Sequence, residues 1–141
     1  MFDLPKLESF QTTKGFFPEE TDEQLPSTIQ GRSVGSKEEA RAVLALEYYG
    51  TDYIYHYEFN GGTGVRGGQE IDILAKTVPL WTPIYIQSGY WHGPTQKYED
   101  QIKMREFKKA TRAYFRDPIE IWDYELTSIE QARTTMKEKV L

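Results

Sequence analysis

The stretch from Arg66 to His92 constrains the fold more than any other. A glycine-rich turn leads into Gly67-Gly68-Gln69-Glu70-Ile71-Asp72-Ile73-Leu74, and a connection bounded by Pro79 and Pro83 then leads into Ile84-Tyr85-Ile86-Gln87-Ser88-Gly89-Tyr90-Trp91-His92. The apolar residues around Asp72 give the first run, at about 69–75, the character of a buried strand. A carboxylate in such a run needs a partner, because burying an unpaired charge is costly. The second run is a shorter strand, at about 84–87, that ends in polar residues, a glycine, two aromatics and a histidine. Strands of this kind deliver their polar groups to one edge of a sheet, and that edge is the expected site.

The flanking segments supply the rest of an α/β domain. Ser36 followed by Glu39 forms a capping box that opens a helix to about Tyr49, with Ala40, Val43, Leu44 and Glu47 at helical spacing and Gly50 after its end. Tyr53 to Phe59 alternates, placing Tyr53, Tyr55, Tyr57 and Phe59 on one face of a strand and Ile54, His56 and Glu58 on the other. Asn60-Gly61-Gly62 turns the chain. Gly62-Thr63-Gly64-Val65-Arg66-Gly67 matches a dinucleotide-binding fingerprint in its letters, but a strand follows where that site needs a helix, so the glycines read as a flexible hairpin connection. A long helix is expected from about Tyr98 to Phe115, with Asp100, Met104, Phe107, Thr111 and Tyr114 along one stripe and Asp117-Pro118 as its stop. Ile119 to Tyr124 reads as a strand. Thr127-Ser128-Ile129-Glu130 reads as a second capping box opening a last helix that buries Ile129, Ala132, Met136 and Val140. The order is αβββαβα, with a mixed central sheet flanked by helices.

Residues 1–34 read as an extended N-terminal arm and residues 35–141 as the domain. The arm carries Pro5, Pro18 and Pro26 and isolated apolar residues without period, so packing on the domain or on a neighbouring chain is what would fix it. A chain of 141 residues is long enough for one core and one site. No apolar run reaches the length of a membrane span, and the N-terminus lacks the basic and apolar regions of a signal peptide. A soluble protein of the cytoplasm, or one packaged from it into a virion, is expected.

There is no cysteine and there are two histidines, His56 and His92, which excludes disulfides and thiolate zinc sites. A metal here should sit on oxygen ligands, which favours Mg²⁺ or Mn²⁺. The net charge of −5 is unevenly spread. Residues 97–116 hold seven basic and three acidic side chains, a balance of +4, whereas residues 1–25 hold six acids and two lysines, a balance of −4. The basic run suits either a phosphate-facing helix or a solvated one.

The element order, with a Glu on the first helix, an Asp on the second strand and a polar cluster ending the third, resembles the PD-(D/E)XK nuclease superfamily. It is most similar to the very-short-patch-repair endonuclease branch and its relatives in phages and mobile elements. Ser36-x-x-Glu39, Gly67-Gly68-x-x-x-Asp72, Tyr90-Trp91-His92, Asp100 with Lys103, and Ile121-Trp122-Asp123-Tyr124-Glu125-Leu126 carry the resemblance, over roughly Gly35 to Val140. It implies a restriction-endonuclease-like core. It also implies Asp72 as a ligand of Mg²⁺ or Mn²⁺, a main-chain carbonyl of Ile86 or Gln87 as a second ligand, and His92 as a proton shuttle. Glu39 would orient a water and Asp100 would support the site from outside it. Where the wider superfamily has an acid and a lysine two residues apart on the third strand, this chain has Gln87, Ser88 and Gly89.

Each of these residues also has a plainer reading. Asp72 can cap a turn, Glu39 can serve the capping box alone, and His92 beside Trp91 can be a packed histidine. Gln87 can read a base edge, hold a water or satisfy backbone groups. Tyr90 and Trp91 can stack on a base or belong to a core, while Arg66, Lys97 and Lys103 are candidate phosphate contacts. Two functions are expected to compete. One is a metal-dependent DNA endonuclease of repair or mobile-element type. The other is an inactive nuclease fold used as a structural or binding subunit, for example of a phage particle, with the acidic arm gripping a protein partner.

Overall fold

The computed structural model describes residues 25–62, 68–88 and 94–141; within 94–101 it describes the helix and not the side chains. The elements run β1 (Thr28–Ile29), β2 (Arg32–Ser33), α1 (Lys37–Tyr48), β3 (Tyr53–Phe59), β4 (Gln69–Thr77), β5 (Leu80–Gln87), α2 (Pro94–Thr111), β6 (Ile119–Trp122) and α3 (Ile129–Lys139), with a 3-10 turn at Asp123–Glu125. The main sheet has the order β3-β4-β5-β6. Its first two pairings are antiparallel, and β6 runs parallel to β5 after the α2 crossover. Arg66, Tyr90, Trp91 and His92 lie outside the described residues, as do the side chains of Lys97 and Asp100 and residues 1–24 of the expected arm.

A hydrophobic cluster lies on each face of the sheet. On one, Ala42, Val43, Ala45 and Leu46 of α1 and Ala132, Met136 and Val140 at α3 meet Tyr55, Ile73, Ile84 and Ile121. The small alanines let α1 and α3 lie close together. On the other face Phe107 of α2 packs with Ile71, Leu74 and Tyr85. The buried side of α1 is therefore broader than the periodic set read from the sequence, and Glu47 of that set is exposed, its carboxylate accepting a 2.5 Å hydrogen bond from the Tyr53 hydroxyl.

Several boundaries differ from expectation for identifiable reasons. Residues 28–33, taken as the end of an arm, form the β1–β2 hairpin, whose loop residues Gln30 and Gly31 both have positive φ, as a tight two-residue turn requires. Ile29 is buried, and the Gln30 side-chain amide bonds Tyr53 O and Tyr55 N at 2.8 Å each, so it substitutes for a neighbouring strand at the open edge of β3. Pro83 lies inside β5, paired with Leu74. Pairing with β6 starts only at Ile84, and on that side Trp81 is already bonded to Tyr114 and Arg116, so the donor that proline lacks falls in a gap of the ladder. That same exchange with Trp81 pulls residues 114–116 out of helical conformation. As a result α2 ends at Thr111, and Tyr114 is exposed. At α3 the cap is Ser128, accepting from Gln131 N at 3.0 Å, one residue later than the expected Thr127 and Glu130. Among the described residues no helix is long and apolar enough to cross a membrane.

Candidate metal centre

Regular alternation fails at one level of the sheet. Tyr53 and Tyr55 pack on the α1 side, whereas Tyr57 and Phe59, expected beside them, pack on the α2 side. On the paired strand Ile73 and Ile71 divide in the same way. The register is unchanged across this level, passing from Tyr55↔Ile73 to Tyr57↔Ile71, with His56 and Asp72 between them outside the paired set. The cause is visible at His56, whose φ of 53° is left-handed, a conformation that side chains with a Cβ rarely adopt within a strand. The reversal brings the His56 ring over to its neighbour's side, where it stacks on Tyr55 with centroids 4.0 Å apart.

Glu39 reaches the same place from α1. Its N–H donates to the Ser36 hydroxyl at 3.1 Å, so half of the expected capping box forms. Its carboxylate turns inward instead of completing the box: it accepts from the Tyr55 hydroxyl and lies 3.1 Å from Nε2 of His56. Tyr55 is held in turn by Gly35, whose N–H donates to its oxygen at 3.0 Å. A Cβ on Gly35 would stand 3.0 Å from the Glu39 carboxylate, so glycine keeps that approach open. The second ring nitrogen of His56 lies 3.3 Å from Glu70. Asp72 finds the partner its burial demands in β5: the Ile86 N–H donates to its carboxylate at 2.8 Å.

Together these contacts bring one carboxylate oxygen of Glu39, one of Asp72 and a ring nitrogen of His56 within 4.8 Å of one another, all three residues being half-buried. Donors bound at about 2.1 Å to one divalent ion stand roughly 3–4 Å apart, so a small inward movement closes the set. The three side chains can hold a metal ion. Burial pushes the Asp72 carboxyl up to about 6; the Ile86 N–H pulls it back, while Glu39 adds to the rise and His56 opposes it. Burial, followed by the bond to Glu39, pushes the Tyr55 hydroxyl up to about 12, so near neutral pH it stays a donor. Three carboxylates, Glu39, Glu70 and Asp72, crowd one imidazole, and a cation relieves that repulsion. With the metal on Nε2, Nδ1–H can donate to Glu70, the arrangement in which a carboxylate fixes a ligating histidine.

Of the residues singled out in the sequence, Asp72 and Glu39 meet here. Ile86 touches Asp72 through its N–H, and Gln87, one residue on and paired with Trp122, stands outside the cluster. Lys103 is exposed on α2, across the sheet from Glu39. His56, Tyr55 and Glu70 were missed. The signal for His56 was its register, since folding the hairpin about its glycine-rich turn sets it opposite Asp72. Compared with family models, with curated proteins and with solved structures, the chain matches none.

Proposed function

We propose that the chain is a metal-dependent nuclease with a restriction-endonuclease-like core, cleaving phosphodiester bonds of DNA. The observation that carries this reading is the convergence of Glu39, His56 and Asp72 at one level of the sheet. The topology supports it: a helix, a three-stranded antiparallel meander and a fourth strand parallel to the third are the parts the PD-(D/E)XK resemblance leads one to expect.

A divalent ion in such a site supplies charge neutralisation at the phosphate and activation of a water. The protein's part is to hold the ligands. The Tyr55 hydroxyl fixes one oxygen of Glu39, Glu70 orients His56, and the Ile86 N–H fixes one oxygen of Asp72. A nitrogen ligand changes the metal expected from oxygen donors alone: Mn²⁺ accepts imidazole and carboxylate together, with Mg²⁺ the weaker fit. His56 would be the imidazole ligand, a role separate from the proton shuttle that the resemblance implies for His92, which lies outside the described residues.

The second reading, an inactive nuclease fold serving as a structural or binding subunit, for instance of a phage particle, is favoured by Gln87 and Ser88. Gln87 ends β5 and Ser88 follows it, in the stretch where the resembled enzymes carry an acid and a lysine. Plasmid nicking with Mn²⁺ or Mg²⁺ separates the two. A nuclease gives metal-dependent nicking that Asp72→Ala abolishes, and the inactive fold gives no cleavage with either ion.

A further inference from the structure

The outer face of α2 carries a charge pattern that the metal centre does not use. Phe107 and Thr111 are buried and Met104 is half-buried, so they mark the inward stripe of the helix. At 3.6 residues per turn Arg105, Lys108, Lys109 and Arg112 fall together within one arc of about 100° beside that stripe, and all four are exposed. Each stands three or four positions from two of the others, the spacing at which side chains on a helix are neighbours and like charges repel. The chain has 22 acidic residues to 17 basic ones, so acidic partners were abundant. Even so, no ion pair among the described residues reaches any of the four. Glu106 is the one acid between them in the sequence, and it lies at the flank of the arc.

We infer that this ridge is a docking surface for the phosphate backbone of a nucleic-acid duplex. From Arg105 to Arg112 the helix rises about 10 Å. Duplex DNA carries a charge every ~1.7 Å of its axis with both strands counted, so a stretch of that length holds about six phosphates on its two strands. The four ridge side chains are all full positive charges on flexible stems, and the phosphate backbone is the feature of a duplex that complements them. The ridge and the Glu39–His56–Asp72 cluster lie on opposite faces of the sheet. Binding there needs no metal, and the inference stands whether or not the chain cleaves DNA.

The test is fluorescence anisotropy with the full chain and a labelled DNA duplex of about 24 base pairs in EDTA, between about 25 and 200 mM KCl. Four phosphate contacts predict that log K falls against log salt with a slope of about −3 to −4. Replacing the four together, Arg105→Gln, Lys108→Gln, Lys109→Gln and Arg112→Gln, should flatten that slope and weaken binding on the order of 100-fold at low salt. Helicity should hold, because glutamine is nearly as good a helix former as lysine or arginine. Glu106→Gln, which removes the flanking acid, should tighten binding. No binding by the wild type at the lowest salt overturns the proposal. So does a fourfold variant that binds as the wild type does, or a single strand of equal length that binds better than the duplex.

Discussion

Nε2 of His56 lies 3.1 Å from Oε1 of Glu39, across the seam between β3 and α1, because the strand turns left-handed at the histidine. A regular strand would send His56 to the α2 side, away from Glu39. The cost of that backbone state is the clearest sign that the chain is built to hold the ring where it is. It also makes the arrangement open to measurement.

If the strand is strained at His56, glycine should be accepted there more readily than alanine. In ordinary strand positions alanine is the better tolerated of the two. At φ 53° the order should invert, with His56→Gly more stable than His56→Ala by about 1 kcal/mol in urea unfolding. Alanine as the more stable variant would show a regular strand.

Asp72 gives a pH signature. Its carboxyl is raised from 3.8 to about 6, so the folded chain holds this proton more tightly than the unfolded chain does. The stability that the proton confers is present below about pH 4, is lost as pH rises towards 6, and stays lost above it. The loss is at most about 3 kcal/mol, from two pH units at ~1.4 kcal/mol each. Asp72→Asn removes the titration, so in chelator its advantage over the wild type should grow from pH 4 to pH 6 and then level off. An advantage that shrinks with pH would contradict the buried, crowded carboxyl.

Tyr55 acts on the metal through Glu39. Tyr55→Phe keeps the ring and its stack on His56 but removes the hydroxyl donated to the carboxylate. Loss of such a supporting bond should weaken Mn²⁺ binding by roughly 10- to 100-fold with little change in fold. Unchanged affinity would mean that the hydroxyl only braces Gly35.

Arg41 tests the seam between α1 and the turn before α3. It is 7 % exposed, and its guanidinium donates to the Leu126 carbonyl at 2.8 Å, tying α1 to the turn before α3. Arg41→Met keeps much of the apolar stem and orphans that carbonyl, for an expected cost of about 2 kcal/mol in thermal or urea unfolding. A neutral result would place the guanidinium in solvent.

Much of this structure was legible in the sequence. The elements followed from Ser36, Gly50 and the period-2 and period-3.6 runs, and Asp72 stood out because isoleucines flank a carboxylate. What stayed hidden was set by contacts between distant residues. Alternation assumes a regular strand, and one left-handed residue, His56, exchanged the faces of Tyr57 and Phe59 after it in β3. Pro83 looked like a loop boundary because a strand interior normally needs the missing N–H, and only the late start of the β6 ladder makes room for it. The end of α2 was misplaced because Trp81, some thirty residues earlier, competes for the backbone of 114–116. The Ser36 and Glu39 spacing was read correctly as a cap, but Tyr55 and His56 decide where the Glu39 carboxylate points.

Glu39, His56 and Asp72 stand close enough together to serve as one cation site. Titration of the metal-free chain with Mn²⁺, followed by calorimetry or by loss of the free-ion paramagnetic signal, tests it most directly. One ion should bind per chain, with the affinity lost in Asp72→Asn and in Glu39→Gln and sharply reduced in His56→Ala. A wild type that takes up no ion, or variants that bind it as the wild type does, would contradict it.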